Sequence, residues 1–206
     1  MVLESHYTDD LLEAGVDEVA RGCLAGPVFA AAVIWPRDLD PLQDHPILRD
    51  SKKLSRNQRN YMREYIECTA IDFSVASVNN QEIDAINIRN AAFLAMHRAV
   101  DGLNVTPEFL LVDGNAFKPY ITQGNRDVIE HTCIIAGDDK YQSIAAASIL
   151  AKVYHDNYID NLVAETPGLE IYNWTRNMCY GTAEHINAIK EHGITPYHRK
   201  SFGPCK

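Results

Sequence analysis

The 206-residue chain has no C-x-x-C pair, and its five cysteines (Cys23, Cys68, Cys133, Cys179 and Cys205) are odd in number and widely spread. That excludes a disulfide framework and a zinc site, and points to idle thiols in a reducing compartment. No apolar run reaches the roughly 18 residues needed to cross a bilayer. The richest stretch, 144–151, stops at Lys152. Residues 1–10 carry Glu4, Asp9 and Asp10, the wrong sign for a signal or transit peptide. There is no G-x-G-x-x-G and no G-x-x-x-x-G-K-[ST], which sets aside a nucleotide-binding α/β protein. Internal repeats, low-complexity tracts and Pro/Gly/Ser linkers are absent too. Basic charge is scarce: 19 Lys and Arg stand against 28 Asp and Glu, for a net −9. A surface of that sign does not bind nucleic acid indiscriminately, although a local basic groove stays open. The remainder, 46% hydrophobic and 23% charged, is an ordinary packed composition. A soluble, cytoplasmic protein with no membrane contact is expected.

Apolar strands are expected at 14–18, 28–35, 71–78, 109–112 and 132–136, the first two joined by a turn-rich link. Helices are expected at 55–68, where Ser55 and Gln58 form a capping box, and at 81–100, 143–164 and 183–191, the last stopped by Gly193. The long helix 143–164 begins apolar on nearly all sides and belongs inside the molecule. Early strands followed by alternating strands and helices predict an α/β fold, a mixed sheet flanked by helices.

Three of these strands deliver acids at their carboxyl ends. Asp17 and Glu18 end the first, Asp113 ends 109–112, and Asp138 and Asp139 follow 132–136. Each alone fits a turn or a cap, and Asp113-Gly114 is a good turn dipeptide. Together, on parallel neighbouring strands, they would converge where open α/β sheets place ligands. Clustered carboxylates repel unless protonated or bridged by cations, and such hard oxygen donors suit Mg²⁺ or Mn²⁺. Metal-assisted phosphoryl chemistry is the reaction such sites perform, with paired ions activating water and stabilising the leaving oxygen. Adjacent strand residues point to opposite faces, so Asp17 and Glu18 share one site only if Glu18 lies past the strand end or at a bulge.

The segment from Gly15 to Pro27, with Asp17-Glu18 and Ala20-Arg21-Gly22, resembles the D-E-x-G-R-G-x-x-A-G-P signature of the ribonuclease HII family. Asp50-Ser51-Lys52-Lys53-Leu54 is similar to its D-S-K-x-L, and Val112-Asp113-Gly114-Asn115 to its V-D-G-N. The blocks from Gly137-Asp138 to Lys152, at Tyr180-Gly181-Thr182 and from Thr195 to Phe202 resemble the rest, in family order over about residues 12–203. The resemblance implies a ribonuclease H-like fold with a five-stranded mixed sheet: a catalytic core at 1–165 and a small helical extension at 166–206. It implies hydrolysis of RNA in RNA–DNA hybrids and incision at single ribonucleotides in duplex DNA, with no obligate protein partner evident. By resemblance, Asp17, Glu18, Asp113 and Asp138 hold the catalytic ions, two of Mg²⁺ or Mn²⁺. Ala20, Arg21 and Gly22 read the 2′-hydroxyl, Tyr180 packs on the neighbouring sugar, and Ser51 and Lys52 contact the duplex backbone.

The chain departs from the pattern on the substrate side. Ala20 replaces the first Gly of G-R-G, a position where a Cβ opposes close approach and a positive φ. Ala116 follows V-D-G-N where Arg is common, Ala136 precedes Gly137 where Lys is common, and Met178-Cys179 replaces Lys-Gly before Tyr180. Three basic groups are missing, which leaves open compensation by Lys140, Arg176 or Arg126, a weakened enzyme, or an inert hybrid-binding relative. Arg56, Arg59 and Arg63 line one helix face, read as solvated with duplex contact the alternative; His198-Arg199-Lys200 is equally open. His155 and Asp156 are expected on a solvent-facing helix edge, and Lys152 to lay its stem along apolar surface. Phe93, Leu94 and Met96 are expected in the core.

Overall fold

A computed structural model describes residues 3–39, 46, 48, 50–122, 124 and 126–206. Six strands form one sheet in the order β3-β2-β1-β4-β6-β5. β1 (Glu13–Val19), β2 (Val28–Ile34) and β3 (Asp72–Val78) run antiparallel in succession, because tight links join the first two. β4 (Phe109–Asp113) lies parallel to β1 on its other side, and β6 (Val128–Ile134) parallel to β4. The sheet is mixed, with six strands rather than the expected five. The addition is β5, only Tyr120–Ile121, antiparallel to β6 and too short to leave a periodic signal.

Helices cover both faces. On one lie α2 (Asn80–Ile86) and α3 (Ile88–Asp101), on the other α1 (Arg56–Thr69) and α4 (Gln142–Glu165). The expected continuous helix 81–100 is broken at Asn87, which takes φ +66° and caps α3 by accepting from the Asn90 amide. With ψ +160° this backbone is one that side chains rarely adopt, so apolar spacing runs through a real corner. The Ser55–Gln58 capping box of α1 is present in both directions. Within α4, residues 142–151 are all buried, as the apolar start of the helix required.

Close approach of α4 to the sheet depends on Gly15. A Cβ there would lie 2.2 Å from the Ser143 backbone carbon, so any side chain would push the helix off β1. The alternation of β1 and β2 then sorts two cores. Val16, Ala30 and Ala32 face α3 with Met96, while Ala31 and Val33 face α4 with Ala147 and Ile149. A third cluster joins the turn after β1 to the chain's last segment, where α5 (Trp174–Asn177) and α6 (Ala183–His192) lie. Trp174 and Ile189 there pack with Ala20, Cys23 and Leu24.

Candidate active site

Parallel pairing brings the strand ends together. Val16 pairs with Val112 and Asp113 with Ile134, so Asp17, Asp113 and the short 3₁₀ turn Gly137–Asp139 stand along one edge of the sheet. β1 stays regular through this region: Asp17 pairs with Ala31 and Glu18 with Ala30, with no bulge. Asp17 therefore shares the α4 face with Ala31, and Glu18 the α3 face with Ala30. No bulge brings Glu18 round to Asp17's face, but the pairing of β1 with β4 ends at Val16, so both carboxyls stand past that ladder, close enough that Glu18's is the largest charge acting on Asp17. Asp113, the last residue of β4, sits between them and its charge acts on both.

Burial raises the Asp17 carboxyl well above its ordinary range, and the charges of Glu18, Asp113 and Asp138 add to it. A hydrogen bond from Ser148 works the other way. Glu18 is also raised, by desolvation first, against the pull of Arg21, whose Nη1 donates to its Oε1 at 2.9 Å. Asp138, 5% exposed, is raised by burial and by Asp113. Asp113 accepts from the Gly137 amide at 2.7 Å, which ties the third strand end to the second. Lys52 lies 3.7 Å from Asp138. Desolvation opposes its charge, but Asp138, Asp50, Asp17 and Asp113 prevail and raise its pKa. Asp139 pairs outward with Lys53 at 2.5 Å. Among the described residues, no three acids, histidines or cysteines are drawn together closely enough to hold an ion as they stand. The donors at the edge are nonetheless all hard oxygens, in an excess of negative charge that a divalent cation would relieve.

The remaining expected site residues fall in two places. Ser51 is buried, its hydroxyl 3.0 Å from that of Ser148, so it supports Asp17's neighbour and does not present itself to a ligand. Ala20, Arg21, Gly22 and Tyr180 form a second wall. Ala20 is buried at φ +71°, Arg21 and Gly22 are exposed, and Tyr180 is 37% exposed with Lys152 Nζ 5.8 Å from its ring centre. All the departures noted before Gly137 and Tyr180 also take left-handed backbone: Ala136 at +53°, Met178 at +46° and Cys179 at +63°. Leu24 donates to the Cys179 carbonyl at 2.7 Å, and the Cys23 thiol to the Met178 carbonyl at 3.2 Å, which holds the two segments face to face.

Several expectations are corrected here. His155 and Asp156 are buried, not on a solvent edge: the long helix passes beneath the second wall, and Asp156 binds Lys152 at 2.8 Å and His155 at 3.0 Å. The arginines of α1 are not a free basic face. Arg56 pairs with Asp160, Arg63 with Glu67, and Arg59 donates to the Ser51 and Leu54 carbonyls. Of the open trio, Arg199 is fully buried, its Nε donating to Gly26 O at 2.9 Å and its Nη1 to Arg21 O at 3.1 Å. His198 is buried against His185, their Nε2 atoms 3.1 Å apart. Trp174 Nε1 donates to His185 Nε2 and Thr195 N to His198 Nδ1, so His198 Nε2 carries a proton and His185 Nδ1 donates to Tyr180 O. Burial lowers both histidines, His198 to about 4, with its neighbour's charge contributing. This lattice under Tyr180 was missed; the Trp174, His185 and His198 spacing gives no periodic signal for it.

On the α3 face, a cavity of about 400 Å³ opens between Glu18 and Asp113, floored by Phe93 and Met96 and rimmed by Arg21 and Arg89.

The family profile described as Ribonuclease HII matches residues 14–205. Ribonuclease HII of Phocaeicola vulgatus is 50% identical over 201 residues, 98% of this chain and 94% of the relative. That of Porphyromonas gingivalis is 48% identical over 202 residues, again 98% and 94%. Among solved structures, ribonuclease H2 of Pyrococcus horikoshii superposes with a TM-score of 0.74 at 22% identity, covering 94% of both chains. Bst ribonuclease HIII in complex with Mn²⁺ gives 0.66 at 18% identity, over 94% of this chain and 67% of that one.

Proposed function

The chain belongs to the ribonuclease HII family and is an endoribonuclease of the ribonuclease H type, and from that premise we propose that it incises at single ribonucleotides embedded in duplex DNA as well as in RNA–DNA hybrids, with two divalent ions, Mg²⁺ or Mn²⁺, held by Asp17, Glu18, Asp113 and Asp138. The observation that carries this reading is the convergence of strand ends: buried Asp17 and Asp138 share one sheet edge with the half-buried Asp113, whose charge raises both of their carboxyls. When bound, the cations supply charge that polarises the phosphodiester and makes a water a stronger nucleophile at neutral pH. The bound Mn²⁺ of the ribonuclease HIII neighbour supports testing that ion beside Mg²⁺.

The chain's own residues divide the remaining work. Ala20, Arg21 and Gly22 offer backbone groups to a 2′-hydroxyl, the group that separates RNA from DNA at a site. The half-exposed Tyr180 ring, backed by Lys152, packs on the adjoining sugar. Lys52 meets a backbone phosphate once Asp138 is occupied, and Ser51 acts from behind, through Ser148. Residues 166–206 act as an extension that holds the second wall in place, through Arg199 and the His185–His198 pair. A second reading, a strongly weakened or inert hybrid-binding relative, draws on the side chains at Ala20, Met178 and Cys179 in left-handed backbone. Cleavage of a labelled DNA duplex carrying one ribonucleotide, with Mg²⁺, Mn²⁺ or EDTA, tests both. Incision at the ribonucleotide with either ion supports the enzyme; binding without incision supports the alternative.

A further inference from the structure

Arg89 occupies a place that stability alone does not explain. It lies in the first turn of α3, where the helix dipole disfavours a cation, and no acid shares that turn. The corner at Asn87 aims this helix start at the cavity beside Glu18 and Asp113, and Arg89 forms part of its rim. Two carboxylates stand in the same cavity, yet Glu18 is taken by Arg21 and Asp113 by the Gly137 amide. The other cations around the acids are committed, Lys52 to Asp138, Lys53 to Asp139 and Lys152 to Asp156. Among the described residues, Arg89 has neither an ion pair nor a hydrogen bond; its guanidinium rests on the Phe93 ring, 5.7 Å from the centroid. Such stacking steadies the planar group and leaves its donors free. Ala116, which also lines the cavity, contributes no charge and no bulk.

We propose that Arg89 is a binding residue for the nucleic-acid strand, its fork donating to a phosphodiester oxygen that enters the α3-side cavity next to Glu18 and Asp113. The inference rests on the nuclease reading above and names a contact within that same site. A guanidinium beside two carboxylates supplies attraction for an approaching phosphate where Arg21, also on the rim, is already paired with Glu18. It also restores, from a different element, a basic group on the wall where Ala116 provides none.

The test measures affinity for a fluorescent single-ribonucleotide duplex across a salt series, with Ca²⁺ in place of Mg²⁺, alongside cleavage kinetics in Mg²⁺. Arg89→Ala should weaken binding about tenfold at low salt and flatten the log–log salt slope by about 0.9. In cleavage it should raise KM and leave kcat near the parent's. Arg89→Lys should keep the slope, because the charge remains, while losing part of the affinity with the fork. Adding Ala116→Arg to Arg89→Ala should return the slope, since the new cation faces the same cavity. Arg89 is exposed, so these variants should melt with the parent. Parent slope and affinity in Arg89→Ala would overturn the inference, as would an equal loss of slope in Arg89→Lys. A parent that binds duplex without cutting it overturns the nuclease reading, and its salt series still decides Arg89. A parent that binds no duplex overturns both.

Discussion

Asp17 and Asp113 stand on two parallel, hydrogen-bonded strands, each backed by a close-packed helix, whereas Ala20, Met178 and Cys179 stand in left-handed backbone between segments joined by scattered hydrogen bonds. The first region is rigid and electrostatically unhappy: Asp17 and Asp138 are buried, and the charge of Asp113 acts on both. The second is electrostatically quiet and conformationally strained. Left-handed non-glycine residues cost of order 1–2 kcal/mol each and persist where their surroundings over-determine them. Here Arg199, the Cys179 carbonyl and the His185 link to Tyr180 supply that constraint. The acid edge stores its tension as charge, which a bound cation would relieve; the facing wall stores it as backbone, which only a change of residue would relieve.

The largest effect should come from the acid edge. Asp17→Asn and Asp113→Asn should each remove cleavage, while Asp17→Asn should raise the ion-free protein's stability by about 1 kcal/mol, because a buried, repelled charge is lost. Steady-state cleavage and thermal melting in EDTA check the two halves separately. Next in size is the response to metal. Ion at about 100 times its Kd adds roughly 2.7 kcal/mol, a rise of several degrees in melting temperature, and Asp17→Asn should lose most of it. A parent whose melting temperature ignores Mg²⁺ at concentrations that support cleavage would speak against a shared carboxylate site.

The two regions should also answer pH in opposite senses. Asp17, Glu18 and Asp138 have raised carboxyls, so in EDTA their contribution is fully present below the ordinary carboxylate range and is lost as pH rises through their raised values. His185 and His198 are lowered, so theirs is present above about pH 6.5 and is lost as pH falls towards the value of about 4 at His198. Melting followed across pH should show Asp17→Asn flattening the first trend and His198→Gln the second. Crossed effects would mean the regions are not independent.

The strand ends were legible because acids after apolar strands are conspicuous and the topology required only parallel neighbours. The α1 capping box and the buried start of α4 were legible for the same local reasons. Sequence spacing could not show the corner at Asn87, since apolar positions keep helical phase on both sides of it. It could not show that His155 and Asp156 are buried, because Phe29, which meets the His155 ring, and Arg59, which lies near Asp156, reach them only through tertiary structure. Nor could it find Arg89, which comes to line one cavity with Asp113 and Ala116 only through tertiary structure. Ala20 was legible as a strained position through the resemblance alone, and φ +71° bears that out.

The smallest effects belong to the strained wall. Ala20→Gly relieves the backbone but frees the unfolded chain, so stability should change by less than about 1 kcal/mol. Its mark should be sharper preference for a ribonucleotide over a deoxyribonucleotide in competition cleavage. Ala136 is exposed, so Ala136→Lys should steepen the salt slope by about 0.9 if a phosphate passes there. Met178→Lys should do less, since Met178 packs against the Trp174 cluster.

The account turns on whether carboxylates at the ends of separate strands work together through a divalent cation. Incision of a labelled DNA duplex with one embedded ribonucleotide, parent against Asp17→Asn, in Mg²⁺, Mn²⁺ and EDTA, tests this most directly. Cutting at the ribonucleotide by the parent with either ion, with none in EDTA and none by the variant, is the expected result. Parent-rate cutting by Asp17→Asn or in EDTA, or a folded parent inert with both ions, would contradict it.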